Sequence, residues 1–226
     1  MEGKADNPAV PPAERMIGQL VADTLRFYGA HFWASLALGL GPAALAVVAS
    51  QLGRALAVAV SAGGAVIVFT ASYVAASAMV SGVRPSRRTV LAAMTAGVLV
   101  YLPAPILFLG FILPGLAWFA LFGLAVPAAV VERLGVLDAL RRGLELGRAD
   151  FVHALATLGT LGLLVTLTGQ VMAFVIHGAS GQAFQIALYL ATLVLTPILF
   201  LGAAHLYDDQ AARAEVKSKR QRPKET

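Results

Sequence analysis

Long runs without a charged residue alternate with short clusters of charge along this chain, and the runs fall at about 33–51, 55–82, 90–113, 115–131, 152–176 and 183–206. At 1.5 Å rise per residue, each run can cross roughly 30 Å of hydrocarbon, the longest with tilt and the shortest barely. The pattern predicts an all-α, polytopic membrane helix bundle with six transmembrane helices. Only 90–131 admits two readings, because Pro103, Pro105, Pro114 and Pro127 interrupt it. It is either two full crossings joined by a tight outer turn at Leu113-Pro114-Gly115 or a re-entrant pair.

Two segments carry a helical rather than a continuous apolar pattern. From Glu14, Ile17, Leu20, Thr24 and Phe27 recur at three- and four-residue spacing, with Arg15, Gln19, Asp23 and Arg26 on another face. From about Val136 to Arg148, Val136, Leu137, Leu140 and Leu144 are apolar while Asp138, Arg141, Arg142, Glu145 and Arg148 are polar. Both are predicted to be amphipathic helices lying at the membrane surface. Each leads into a related sequence: Ala30-His31-Phe32-Trp33-Ala34-Ser35-Leu36-Ala37 lines up with Ala149-Asp150-Phe151-Val152-His153-Ala154-Leu155-Ala156. A fainter third copy starts at Arg84-Pro85-Ser86-Arg87-Arg88. The expected unit is a surface helix followed by a hairpin, used in one orientation; chance similarity among Ala- and Leu-rich helices is the alternative. Residues 1–13, polar and with three prolines, read as a disordered tail; 14–209 form the six-helix domain and 210–226 a basic tail.

Charge orients this pattern. Of seventeen Lys and Arg residues, only Arg54 falls in a loop on the side opposite the ends. Lys4, Arg15, Arg26, the cluster Arg84, Arg87 and Arg88, then Arg133, Arg141, Arg142 and Arg148, and finally Arg213, Lys217, Lys219, Arg220, Arg222 and Lys224 all fall on the side of the termini. The positive-inside rule then places both termini in the cytoplasm. With 58% apolar residues, 13% charged and a mean hydropathy of +0.78, the expected solvent is lipid. The net charge of +5 reads as orientation and attraction to anionic headgroups, not as nucleic-acid binding. The mixed-charge start, with no apolar core close behind it, is not a cleavable signal peptide, so the N-terminus is expected to be retained. No cysteine is present, which removes disulfides and thiolate metal sites.

Three stretches carry a family likeness. Arg26-Phe27-Tyr28-Gly29-Ala30-His31-Phe32-Trp33 leads into the first crossing; Leu113-Pro114-Gly115 opens a helix that ends Val126-Pro127-Ala128-Ala129-Val130-Val131-Glu132 and runs on to Ala139-Leu140-Arg141-Arg142-Gly143-Leu144-Glu145-Leu146; and the last helix closes with Leu206-Tyr207-Asp208. Over most of residues 15–213 the chain resembles the bacterial membrane proteins related to the membrane domain of glycerophosphoryl diester phosphodiesterase. It departs from that family where Asp209-Gln210 replaces a common Leu-Arg and where Gly143 follows Arg142. The resemblance implies a bacterial cytoplasmic membrane protein, membrane part only. The phosphodiesterase activity belongs to a separate soluble barrel opening on His-Arg-Gly, and His31, His153, His177 and His205 here precede Phe, Ala, Gly and Leu.

Candidate chemistry is sparse. Gly178-Ala179-Ser180-Gly181 has the letters of a rhomboid protease motif, yet His205 follows Ser180 along one helix by about 35 Å, and a Ser nucleophile needs its base within hydrogen-bond reach. Gly39-Leu40-Gly41-Pro42-Ala43-Ala44 imitates a dinucleotide fingerprint without strand or acidic residue, so close helix packing explains it better, as it does Ala71, Ala75, Ala78 and Gly82. A substrate path would need polar groups in mid-membrane, and Tyr73, Gln170 and Thr196 are the candidates, set against ordinary interhelical hydrogen bonding. Glu132 and Asp208 are expected to pair with Arg133, Arg141 or Arg148 at the surface.

The expected protein is therefore non-enzymatic, without cofactor or metal, organising membrane or lipid or acting as a scaffold. Its expected partners are the bilayer, anionic lipid at Arg84, Arg87, Arg88, Arg141, Arg142, Arg148, Lys217, Lys219, Arg220, Arg222 and Lys224, and other membrane proteins or a second copy. A small permease or lipid-handling transporter is the alternative.

Overall fold

The computed structural model describes residues 14–110, 112–178 and 181–221. Among them the chain forms eleven helical segments: α1 (Ile17–Ala30), α2 (Phe32–Leu38), α3 (Leu40–Ser50), α4 (Arg54–Ser81), α5 (Arg87–Tyr101), α6 (Ala104–Gly110), α7 (Ile112–Phe122), α8 (Ala125–Val131), α9 (Val136–Ala149), α10 (Phe151–Ile176) and α11 (Gly181–Gln221). Six stretches are long and apolar enough to cross a membrane: Phe32–Ser50, Arg54–Ser81, Arg87–Leu107, Ile112–Val131, Phe151–Ile176 and Gly181–Lys219. The chain is thus an all-α bundle with the composition of a polytopic membrane protein. The expected tail 1–13 and the expected basic positions Arg222 and Lys224 lie outside the described residues, as does the side chain of Arg220.

Prolines punctuate the region 90–131, yet its two stretches Arg87–Leu107 and Ile112–Val131 are each long and apolar enough to cross. Pro103 lies in the turn after α5, while Pro105, Pro114 and Pro127 each sit in the first turn of α6, α7 and α8, where the missing N–H has no intrahelical partner to lose. The expected turn at Leu113-Pro114-Gly115 is therefore corrected: these residues are helical and lie in the first turn of α7. The most deeply embedded crossing is the one made by α7 and α8, whose residues Ala125 to Val130 are all buried.

Helix ends follow local rules. Ser86 accepts a hydrogen bond from the Thr89 N–H and starts α5; Asp150 accepts one from the His153 N–H and starts α10. Gly82, at φ 66°, closes α4 in the left-handed conformation that favours glycine. Within α11, Pro197 deprives the Leu193 carbonyl of its usual donor. That freed carbonyl is where Gly39, the joint between α2 and α3, comes to rest: a Cβ on Gly39 would collide with the Leu193 oxygen. Pro42 likewise leaves the Leu38 carbonyl without its usual donor, and Ser72 donates to that oxygen at 2.9 Å. Close packing is thus what the glycines at 39–41 provide, with Gly41 lying against Val68. The row Ala71, Ala75, Ala78, Gly82 does not do the same; Ala71 and Ala75 are exposed, and α4 packs instead through Ser72, Tyr73, Ala76 and Ser77.

The repeat is visible in the backbone. α1 stops at His31 and α9 at Asp150, the two positions that the sequences align, and a crossing begins at the next residue in both. α1 buries Leu20, Thr24 and Tyr28; α9 buries Ala139, Gly143 and Gly147 at matching positions. α5 buries Thr89, Ala93 and Gly97 at the same steps but is itself the first part of a crossing, so the third copy keeps the packing face without a separate surface helix. On α9 the approach is backbone to backbone: a Cβ on Gly143 would meet the Ala125 nitrogen at 2.6 Å, and one on Gly147 would collide with the Ala120 oxygen.

The two ends of the described chain meet at one end of the bundle, since Arg213 of α11 donates to the Arg15 carbonyl. This end is the terminal face, and the opposite end, where α3 meets α4 and α10 meets α11, is the far face. At the terminal face α11 runs on well past residue 209, so the expected boundary between a membrane domain and a tail at 209/210 falls inside a continuous helix. Asp209 and Gln210 are fully buried there.

Candidate functional site

Two features stand out above ordinary packing: a cavity inside the bundle and a charged network beneath it. The cavity has a volume of about 740 Å³ and is walled by α4, α7, α10 and α11 together with the joint between α5 and α6. One wall is aromatic. Phe69 packs edge-on against Phe200 at 5.6 Å and Tyr101 at 6.2 Å, Tyr101 continues to Phe119 at 5.0 Å, and Tyr73 stacks near Phe200 at 6.4 Å. Trp118 fixes α7 against α5 by donating to the Val100 carbonyl at 2.8 Å.

The opposite wall is made by what α10 lacks. Gly159 and Gly162 line the cavity, and a Cβ built on either meets nothing within 4 Å. Leu163, 59% exposed, and Ile112, 68% exposed, line the cavity and also face outward. The cavity therefore opens sideways between α7 and α10, onto the surface that the apolar exterior assigns to lipid.

Below the cavity lies a packed apolar layer of Ala120, Leu124, Leu146, Ala154 and Leu206. Beneath that layer, at the terminal face, is the charged network. The Asp209 carboxylate is wholly buried and accepts no hydrogen bond among the described residues. It is surrounded by Nη1 of Arg15 at 3.7 Å, Nε2 of His153 at 3.3 Å and Nη2 of Arg213 at 4.0 Å. Arg213 also donates to the Asp150 carboxylate at 2.9 Å, and the Gln210 amide donates to the Asp150 carbonyl at 3.1 Å. α1, the α9–α10 joint and α11 are thus tied at one point. A buried carboxylate held by opposite charges without hydrogen bonds is a costly arrangement, stable only while the cations stay in place.

A second pairing lies nearby. Glu132 accepts from Arg142 at 2.8 Å and from the Tyr207 hydroxyl at 2.7 Å. The expected partners Arg133, Arg141 and Arg148 are corrected to Arg142, because α9 turns that side chain, and not its neighbours, back toward the end of α8. The hydrogen bond to Glu132 raises the pKa of the Arg142 guanidinium, so this residue is committed to a protein partner rather than free for headgroups.

The remaining basic positions fall where a surface would use them. Arg84, Arg87, Arg88, Arg141, Arg148, Lys217 and Lys219 are exposed, all on elements that end or begin at the terminal face. The intramembrane trio does not come together. Tyr73 lines the cavity and its hydroxyl is buried without a partner among the described residues. Thr196 is buried in α11 but is not among the cavity residues, and Gln170 is exposed on α10. In place of a polar path the structure holds an apolar one. Ser180 of the protease-like motif lies outside the described residues.

Comparison with known proteins finds no matching family model, no matching curated protein and no matching solved structure.

Asp209 is the site residue that sequence reasoning missed: it was legible only as a departure from a family pattern. The signal that could have marked it is the row Asp209, Gln210 and Arg213 on one side of an extended α11. The cavity was signalled by Gly159 and Gly162, two glycines in a long crossing whose packing partners the sequence does not supply.

Proposed function

We propose that this chain is a non-enzymatic, multi-pass protein of the bacterial cytoplasmic membrane that handles lipid by accepting hydrocarbon into the bundle. The single observation that carries this reading is the sideways-opening cavity of about 740 Å³ with almost no polar group in its walls. A volume of that order is typical of small-ligand sites. In a bilayer the liquid at its mouth is acyl chain, and leaving an apolar void empty forfeits the contacts that those chains supply.

The exposed arginines and lysines of the terminal face support a cytoplasmic placement of that face and attraction to anionic lipid, each near-surface charge contributing about 1 kcal/mol. The resemblance to the membrane part of the glycerophosphodiesterase-related family agrees with a role that is membranous and not hydrolytic. Membrane-protein partners or a second copy remain part of this reading as users of the bound lipid, and no nucleic acid or cofactor enters it.

The test is lipid retention. Native mass spectrometry of the protein released from nanodiscs into mild detergent should show bound lipid. Gly162→Phe, which fills the cavity from an open position, should reduce the lipid-bound fraction severalfold with the thermal unfolding temperature nearly unchanged. Equal lipid retention by the two proteins would end this reading.

A further inference from the structure

Nothing charged lines the cavity: among the described residues its only polar side chains are Tyr73, Tyr101 and Thr166. Tyr73 is 2% exposed and its hydroxyl has no hydrogen-bond partner, and the Tyr101 hydroxyl likewise makes no hydrogen bond among the described residues. Both phenols belong to the aromatic wall, whose rings follow one another in the order Tyr73, Phe200, Phe69, Tyr101, Phe119.

Each feature narrows the occupant. An ionised or zwitterionic headgroup would leave its water here and find no counter-charge, so what enters the cavity is neutral. A bare acyl chain fills the space but leaves two phenol donors unpaired, and an unmade hydrogen bond in an apolar site is costly. Carbonyl oxygens satisfy them, because a phenol O–H donates and a carbonyl accepts. The wall itself favours a flat conjugated ring, which gains offset or edge contacts with aromatic side chains beyond the area that it buries. Across from that wall, Gly159 and Gly162 leave open space beside α10, so a ring lies there without displacing a side chain. α4, which carries Tyr73, packs on α5, α8 and α11, so its part of the wall stands away from the mouth between α7 and α10.

We infer that the cavity takes a quinone with an apolar tail: the planar ring rests on the aromatic wall, its carbonyl oxygens accept from Tyr73 and Tyr101, and the tail runs out between α7 and α10 into the bilayer. This rests on the hydrocarbon-binding reading above and adds the chemical class of the ligand and the residues that select it.

Retention from doped nanodiscs tests it. Phospholipid nanodiscs holding the protein carry either a 1,4-naphthoquinone with a two-isoprene tail or a naphthalene with the same tail, and the bound species are counted by native mass spectrometry after release into mild detergent. The parent protein should retain the naphthoquinone about fivefold better than the naphthalene or more, the scale of one hydrogen bond. Tyr73→Phe combined with Tyr101→Phe should bring the naphthoquinone down to the naphthalene level. The same double variant should leave naphthalene retention and the unfolding temperature nearly unchanged, because the empty protein loses no hydrogen bond by it. Phe119→Leu should lower both ring compounds severalfold, the scale of one aromatic pair, and spare the retained phospholipid. Gly162→Phe should lower all three.

Equal retention of the two ring compounds by the parent, or a double tyrosine variant that keeps the naphthoquinone as the parent does, overturns the inference, while hydrocarbon binding stands on the phospholipid that Gly162→Phe releases. A parent protein that retains neither ring compound nor phospholipid overturns both.

Discussion

The carboxylate of Asp209 is held by charge and not by hydrogen bonds, so its stability depends on the cations around it. Arg15 and Arg213 flank it with His153 on a third side, and removing one cation leaves a buried charge only partly compensated. Arg15→Met is expected to lower unfolding stability in detergent by about 3 kcal/mol. Arg15→Met with Asp209→Asn should recover much of that loss, and Lys217→Met, on an exposed position, should change little. An additive double variant would show that Asp209 and Arg15 act independently. In the sequence this cluster is marked only by the row Asp209, Gln210 and Arg213, and only if α11 is known to extend that far. Asp209 and Gln210 read as the start of a tail because uncharged sequence stops near residue 206; burial there comes from α1 and the α9–α10 joint folding over α11, contacts remote in sequence.

At the scale of elements, the six crossings were legible because they depend on composition over some twenty residues, which survives almost any detail of packing. The breaks within them were not. α2 and α3 part at Gly39, where Pro42 gives the Leu38 carbonyl no donor, and a backbone carbonyl freed by Pro197, far along the chain, occupies the space beside the joint. Gly39→Ala should therefore be destabilising by about 1–3 kcal/mol, because neither backbone can move aside cheaply, whereas Gly159→Leu should be tolerated. Comparing the unfolding temperatures of the two variants checks this, and equal losses would mean that the α2–α3 joint is not held against α11. The repeat was legible for α1 and α9, whose polar faces mark them. It was faint at α5 because that helix keeps the buried spacing while lying within a crossing, where a polar face would be penalised.

For the whole molecule, the meeting of Arg15 with Arg213 brings both ends of the described chain to one face, and the exposed basic residues there are the basis for proposing that this face is cytoplasmic. The absence of native cysteine allows a direct measurement. A cysteine replacing Gln51, in the far-face loop, is expected to react with an impermeant maleimide in intact cells, and one replacing Ser218 only after lysis. The opposite pattern would invert the proposed orientation. Of the cavity the sequence carries one trace, the pair Gly159 and Gly162 on α10; the void itself is a property of what several helices together fail to fill.

α11 spans 41 residues, about 60 Å of continuous rod, roughly twice the hydrocarbon thickness. Its middle third, at Leu199, Phe200 and Ala203, forms part of the cavity wall, and its last turns stand clear of the bundle with Lys217 and Lys219 exposed. Beyond that wall the rod is pinned again, at Asp209, Gln210 and Arg213, so the part left to move at the surface is its last turns past Arg213.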